Sequence, residues 1–505
     1  MRKQGRIHHY LLPIVLVMSG LLYSCETGLE GQENINQPPE THLTVDQIQR
    51  TGENRLSSQI KISWWGDDPD GYVVGFEYAI DDTSEWGFTH RNDSTFILPI
   101  PEGNEFADVN FYVRAVDNDD LRDPDPAELQ YPVKNTPPKV SINATEQAPD
   151  TTYEVFGFGW TSSDLDGEGN LDHVEIAVND TVDGWIELPI DVNFVTMRVT
   201  GTQVGSAPSQ QAYDSELFIG KGFESSDITV PGVQLNSENL FYVRAFDKAG
   251  APSKVDTVRW YVKKQMSRIL LLNDYSGGNS ANVARFHKER LQEAGYNQVD
   301  YWDISDGEAS GERTVKLSSA FPATIEPTLI KTIAAWDHIY WVSNSIKRNI
   351  NYAQEITSDF LDNGGSMFVT IPMRSLEKGN PIFNFLPVDS TNSLPQGATD
   401  YVISSRSTMD PTNDGFVGDT LGLESSVSSV FPIYASSGSI ELYTADYQVR
   451  TLLGFEQYEG NEVVAVKNPE GNLIFFGQDL TNLNENDNLG NLLMTLLNDE
   501  LGFTQ

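Results

Sequence analysis

The sequence has 505 residues, 33 of them basic and 73 acidic, for a formal charge of −40 at pH 7. At about 100 to 200 residues per domain this length predicts roughly three domains, and 39% hydrophobic residues with 10% aromatics exclude a disordered or fibrous chain. The charge excludes a nucleic-acid partner, which needs a basic face for its phosphates, and the single cysteine excludes an internal disulfide framework and a Cys-ligated metal site.

Residues 1–24 read as a secretory leader. Arg2, Lys3 and Arg6 form a basic start, an apolar stretch runs from Tyr10 to Leu22, and Leu22-Tyr23-Ser24-Cys25 closes it. An apolar core of about a dozen residues is too short to span a bilayer as a helix. The last four residues resemble the lipobox of bacterial lipoproteins. The resemblance implies cleavage before Cys25, a diacylglyceryl group on its thiol, and attachment to the outer membrane through that lipid; the plain alternative is an uncleaved anchor helix with an incidental cysteine. So acidic a chain is repelled by anionic headgroups, so the lipid rather than the protein surface is expected to hold it. Residues 25–38 are polar and read as a flexible tether. Glu26, Glu30 and Glu33 within it are similar to the acid-rich export signal of lipoproteins in Bacteroidota-like bacteria, which leaves the cell surface and the periplasmic face of the outer membrane both open.

An internal repeat then divides residues 39–136 from 137–264. Trp64 is followed by Asp68, Asp70 and Gly71 at the distances at which Trp160 is followed by Asp164, Asp166 and Gly167. Ala79-Ile80-Asp81-Asp82-Thr83 returns as Ala177-Val178-Asn179-Asp180-Thr181, with Trp86 and Trp185 just beyond. Phe111-Tyr112-Val113-Arg114-Ala115-Val116-Asp117 returns as Phe241-Tyr242-Val243-Arg244-Ala245-Phe246-Asp247. Matched blocks in one order mark a duplication, and short alternating apolar runs broken by Asp, Gly, Pro and Asn predict an antiparallel β-sandwich in each copy. The blocks resemble fibronectin type III and related immunoglobulin-like modules, which implies a core strand at each early tryptophan. The second copy is longer between Trp185 and Tyr242; the excess, including Ser206 to Tyr213, reads as a loop insertion or an extra hairpin.

The aspartate clusters carry the chemistry of the repeats. Asp164, Asp166 and Asp172 surround the turn at Gly167, and carboxylates converging from a tight loop suit a hard cation such as calcium. The loop is not an EF-hand, because its glycine comes early and the closing glutamate is missing. The alternative is a set of Asx and Gly turns between strands. No other cofactor is expected.

Residues 266–505 follow a different grammar. Strand-like runs at Ile269–Asn273, Val299–Ile304, His338–Val342, Met367–Ile371 and Leu473–Gly477 alternate with helical patterns at Ser280–Leu291, 328–335 and 353–361, and Leu489–Leu497 supplies a last helix. Ser280 is placed to cap the first helix. The alternation predicts a three-layer α/β domain with a mostly parallel sheet, carrying a β-rich insertion over about 377–462.

The opening strand, Phe360-Leu361-Asp362-Asn363-Gly364-Gly365 leading into Met367–Ile371, and Gly471-Asn472-Leu473-Ile474-Phe475-Phe476-Gly477-Gln478-Asp479 resemble the class I glutamine amidotransferase-like fold, with flavodoxin-like layering. In active members the strand after the Gly-Gly turn ends in a cysteine nucleophile; this sequence has Thr370-Ile371-Pro372-Met373 there. The histidines after residue 266 are His287, inside a helix, and His338, at the wrong end of its strand, and both read as packing or surface residues. An acyl-transfer base is therefore missing, as are a G-x-S-x-G elbow, a Walker motif and a G-x-G-x-x-G loop.

At the carboxyl ends of the strands, Asn273, Asp274, Ser276, Gly277, Asn344, Thr370, Gln478 and Asp479 are expected to line any crevice, unless they serve as helix caps and loop residues. Amides, hydroxyls and backbone donors suit a glycan or a protein ligand. Two functions compete. One is a lipid-anchored, non-catalytic binding or scaffold protein in which two sandwiches hold out an α/β domain; the other is a glycan- or peptide-directed hydrolase using carboxylates such as Asp274 and Asp479.

Overall fold

A computed structural model describes residues 35–44, 55–304, 315–316, 326–347, 349–412, 416–483 and 487–504. The expected leader, Cys25 and the tether as far as residue 34 lie outside the described residues. The chain divides into two compact units, Met1–Thr136 and Pro137–Gln505.

In the first unit the strands are β1 (Glu40–Leu43), β2 (Leu56–Ser57), β3 (Gln59–Asp67), β4 (Val73–Ile80), β5 (Gly87–Thr89), β6 (Asp93–Ile97), β7 (Phe106–Asp117) and β8 (Ala127–Lys134). They form two sheets, β1-β3-β6 and β2-β8-β7-β4-β5. Along β3, Ile62 and Trp64 are buried while Lys61 and Trp65 face out, the period-two pattern of a sheet with one covered face. Trp64 sits against Phe76, Phe96 and Phe111, with ring centroids 5.9 to 6.1 Å away.

The second unit opens with the second copy: β9 (Lys139–Gln147), β10 (Thr151–Thr152), β11 (Val155–Ser163), β12 (Leu171–Val178), β13 (Ile186–Pro189), β14 (Phe194–Val199), β15 (Tyr213–Ile219), β16 (Glu224–Val233), β17 (Ser237–Asp247) and β18 (Asp256–Val262). Its sheets run β16-β15-β14-β11-β9 and β10-β18-β17-β12-β13, the first unit's order with two strands added. The excess residues are therefore a hairpin, β15–β16, that widens one sheet, the extra hairpin of the two readings rather than the loop insertion. Only the stretch before Tyr213 stays irregular, and the Tyr213 hydroxyl ties it down by accepting from the Ser209 and Gln210 amides.

The repeated blocks have repeated physics. Asp81 and Asn179 take left-handed φ values of 55° and 61°, which short polar side chains tolerate, and Asp82 and Asp180 then close Asx turns on the Ser84 and Val182 amides. Arg114 lies 4.1 Å over Trp86 and pairs with Glu77; Arg244 lies 4.1 Å over Trp185 and pairs with Glu175. Each tryptophan in turn donates its indole N–H to Thr83 or Thr181.

The rest of the second unit contains β19 (Ile269–Asp274), α1 (Ser280–Glu293), β20 (Asp300–Asp303), β21 (Val315–Lys316), α2 (Glu326–Ile333), β22 (His338–Ser343), α3 (Ile350–Asp362), β23 (Ser366–Thr370), β24 (Val388–Thr391), β25 (Ala398–Ile403), β26 (Thr408–Pro411), β27 (Leu421–Gly422), β28 (Val427–Ser428), β29 (Ile433–Ala435), β30 (Ile440–Ala445), β31 (Tyr447–Thr451), β32 (Gly454–Gln457), β33 (Val463–Lys467), β34 (Leu473–Phe476) and α4 (Leu489–Met494). Among the described residues the main sheet runs β21-β20-β19-β22-β23-β34-β33-β30-β26-β27. It is parallel from β21 to β34 and antiparallel beyond. Every residue of β19, β22 and β23 is buried, as strands covered on both faces require. Ile269 and Leu271 pack with residues of α1 and α4, Leu270 and Leu272 with residues of α2 and α3. Gly364, at φ 93°, lets the chain leave α3 for β23. Strands of the 377–462 stretch lengthen the main sheet and add two small ones, β24-β29 and β28-β25-β31-β32. The last helix continues past Met494 as a wider turn to Glu500.

The second sandwich and this sheet share a core. The Tyr153 hydroxyl donates to the Tyr301 carbonyl at 2.9 Å and accepts from the Tyr301 amide at 3.0 Å, taking the place of a neighbouring strand at the edge of β20. Its ring packs on Trp302 and Trp336. Gly157 brings β11 so close to α2 that an added Cβ would lie 2.4 Å from Thr328 Oγ1. The sandwich is not a free-standing spacer.

Candidate functional site

The carboxyl ends of the parallel strands bring the expected crevice residues into one region, but as a closed network. The Asn273 amide donates to Ser280 Oγ at 2.8 Å and to Tyr301 Oη at 3.0 Å, and its carbonyl accepts from the Tyr275 amide. Ser280 is thus spent on β19 and does not cap α1, whose N-cap, Asn279, makes no side-chain bond to a backbone amide of the first turn. Asp274, fully buried, accepts from Ser343 Oγ at 3.1 Å and from the Asn349 amide at 2.8 Å. Ser276 donates from both its amide and its hydroxyl to Asn344 Oδ1, and Asn344 returns a bond to the Ser276 carbonyl. Thr370 donates to the Gln478 carbonyl at 2.7 Å, and Gln478 to Tyr447 Oη at 3.3 Å.

Asp479 stands in a second network. One carboxylate oxygen accepts from Tyr275 Oη at 3.0 Å and the other from the Thr481 amide and hydroxyl. Burial, then the Asp479 charge, pushes the Tyr275 phenol far above its usual range. Nearby, His287 is buried with Nδ1 3.0 Å from Tyr340 Oη, and its Nε2 makes no hydrogen bond. Burial holds this imidazole well below its ordinary pKa, against the pull of Asp479, so it is neutral at pH 7. His338 packs on Phe503 and bonds Ser366.

These positions correct the expected crevice. Asn273, Asp274, Thr370 and Gln478 are buried, and the bonds that Asn273, Asp274 and Thr370 make there lower the cost of removing them from water, whereas Gln478 bonds through its amide nitrogen and its Oε1 makes no hydrogen bond. Gly277 is exposed in the following loop. Ser343, at the carboxyl end of β22, belongs with the expected strand-end residues, whereas Tyr275 and Asn349, which complete the networks, carried no sequence signal beyond lying in polar connections.

The calcium candidates also part company. Asp164 Oδ1 accepts from the Asp166 amide at 2.7 Å in an Asx turn, as Asp68 does from Asp70. Asp172 instead belongs to β12 and binds His173 Nδ1 at 2.8 Å. Burial, with Asp166 and Asp247 nearby, raises the Asp164 pKa. Among the described residues no group of three or more His, Cys, Asp or Glu side chains is placed to hold a metal ion, so the set Asp164, Asp166 and Asp172 does not converge as expected. No helix among them is long and apolar enough to cross a membrane.

Fibronectin modules are among the solved structures similar to this chain. The fibronectin(III)-like modules of Clostridium thermocellum CbhA match at 18% identity over 45% of this chain and 95% of their own, with a TM-score of 0.16. The FN1-FN3 domains of chicken CNTN1 match at 11% identity over 44% of this chain and 98% of theirs, with a TM-score of 0.16. Chitinase ChiA74 from Bacillus thuringiensis matches at 15% identity over 45% of this chain and 30% of its own length, with a TM-score of 0.15. No family model matches the sequence, and no curated protein matches it either.

Proposed function

We propose that the chain is a lipid-anchored, non-catalytic scaffold of the bacterial outer membrane, with two fibronectin type III-like sandwiches and a glutamine amidotransferase-like α/β layer that has lost its chemistry. The observation that carries the reading is the closed network at the strand ends. A catalytic cleft keeps its acid, base and nucleophile open to substrate; here Asp274 and Thr370 are buried and bonded within the protein. Thr370 stands where the resemblance puts the nucleophile, its hydroxyl is committed to Gln478, and His287 meets a tyrosine rather than a nucleophile. Hydrolysis through Asp274 and Asp479 is the weaker reading, because paired carboxylates must face one open cleft and Asp274 is sealed by Ser343 and Asn349. A fold kept without its chemistry serves as a rigid platform for a glycan or protein ligand.

The anchor is tested by metabolic labelling. Palmitate is expected to enter the wild-type protein and not Cys25→Ser, which should accumulate as an uncleaved precursor. A Cys25→Ser chain that is cut and released like the wild type would contradict the anchor.

A further inference from the structure

The β31–β32 hairpin ends in a two-residue turn, Leu452-Leu453, between the paired residues Thr451 and Gly454. Such turns are the usual place of Asn, Asp and Gly. Here the two leucines are 94% and 96% exposed, and Phe455, the second residue of β32, is 58% exposed. The turn itself is ordinary, with the Leu453 amide bonded to Thr451 Oγ1, so nothing local requires leucine. β32 is the last strand of its sheet and all four of its residues are exposed. Side chains that break the local rule without a folding reward point to a contact outside the chain.

We propose that this hairpin tip is a membrane-contact site, which seats Leu452, Leu453 and Phe455 among the acyl chains of a lipid surface. The area decides against a protein partner or a second copy. A stable protein interface buries on the order of 800 Å² per partner, whereas three side chains on a narrow turn offer about a few hundred Å², and Glu456 and Gln457 directly behind them are polar and exposed. A bilayer needs no matching shape, so an isolated convex apex suffices. Charge agrees. No ionisable side chain lies from Thr451 to Phe455, so the tip enters without burying a charge. Arg450, with its guanidinium 5.5 Å from the Phe455 ring centroid, is placed to reach headgroup phosphates while its stem follows the apolar residues. Because the whole chain carries −40, the contact is expected with zwitterionic lipid and is insensitive to salt.

The proposal rests on the anchored reading only in that something must hold the chain at a membrane, and the experiment separates the two. The full chain carrying Cys25→Ser and Leu453→Cys has one thiol, which takes an environment-sensitive fluorophore; its leader, cleaved or not, is the same in a control with the label at Val182→Cys, an 82% exposed site in the second sandwich. Both are mixed with phosphatidylcholine vesicles that contain nitroxide lipids. The label at 453 is expected to shift to the blue and to be quenched several-fold more than the label at 182, with Leu452→Asp abolishing the difference. Equal quenching at the two sites would overturn the proposal, as would quenching confined to anionic vesicles at low salt. A blue shift on raising the protein concentration without lipid would assign the tip to a second copy instead. Failure of the anchor shows separately, as missing palmitate on Cys25.

Discussion

Glu154→Ala is expected to destabilise the second unit by about 3–5 kcal/mol, the cost of leaving a buried charge without its partner. Lys264 and Glu154 form an ion pair at 2.7 Å with side chains only 2% and 7% exposed, at the point where β18 hands the chain to β19. The pair is not symmetric. Glu154 also accepts from the Gln265 amide and from Thr202 Oγ1, whereas Lys264 keeps only the Gln265 carbonyl. Lys264→Met therefore leaves a carboxylate that still has two donors and should cost less than Glu154→Ala. The paired change Glu154→Met with Lys264→Met should recover most of the loss, since no orphaned charge remains. Urea unfolding followed by tryptophan emission gives all three values. Equal, small effects of both single changes would show that the pair is solvated and that the junction is loose.

Tyr153→Phe should cost about 2–4 kcal/mol, because it leaves the buried Tyr301 N–H and C=O without their shared partner, at roughly 1–3 kcal/mol for each orphaned group. The ring stays, so its packing on Trp302 and Trp336 is not lost. The change should also reveal the coupling between the layers. In the wild type, residues 137–264 and 266–505 are expected to unfold in one transition, since Tyr153 belongs to the core of the sheet layer and Gly157 meets Thr328 across the seam. In Tyr153→Phe, hydrogen exchange should show the sandwich and the sheet opening at separate free energies. Two separate openings already in the wild type would contradict the shared core.

What was legible in the sequence follows from the range of the interactions. Trp64 and Trp160, the Tyr-x-Arg-Ala strands and the run Ile269–Asn273 are local patterns of alternation or continuous burial, and each marks a strand of the structure. The arginine-on-tryptophan pairs were half visible, as residues repeated in both copies without a stated reason. The closed site was not visible, because its bonds join distant positions: Asp274 to Asn349, Tyr275 to Asp479, Thr370 to Gln478. Polar residues after strands look the same from sequence whether they face a ligand or one another. The docking of Tyr153 on Tyr301 was equally hidden, since a tyrosine before a sandwich strand has the composition of any core residue. The polar approach from Ser206 to Tyr213, where Ser, Gln and Pro suggest a loop, left the hairpin β15–β16 and a plain loop equally open.

The most direct test of the proposed non-catalytic reading puts a reporter at Thr370. Thr370→Cys, in the Cys25→Ser chain so that it carries the only thiol, restores the residue type that the amidotransferase resemblance expects after the Gly-Gly turn. Thr370 is buried and bonded to the Gln478 carbonyl, so the thiol should react with a small disulfide reagent only as fast as the second unit opens, and the purified chain should show no glutaminase or esterase turnover. Prompt labelling in the native protein, as at an exposed thiol, together with turnover that Asp274→Asn or His287→Gln abolishes, would contradict the account.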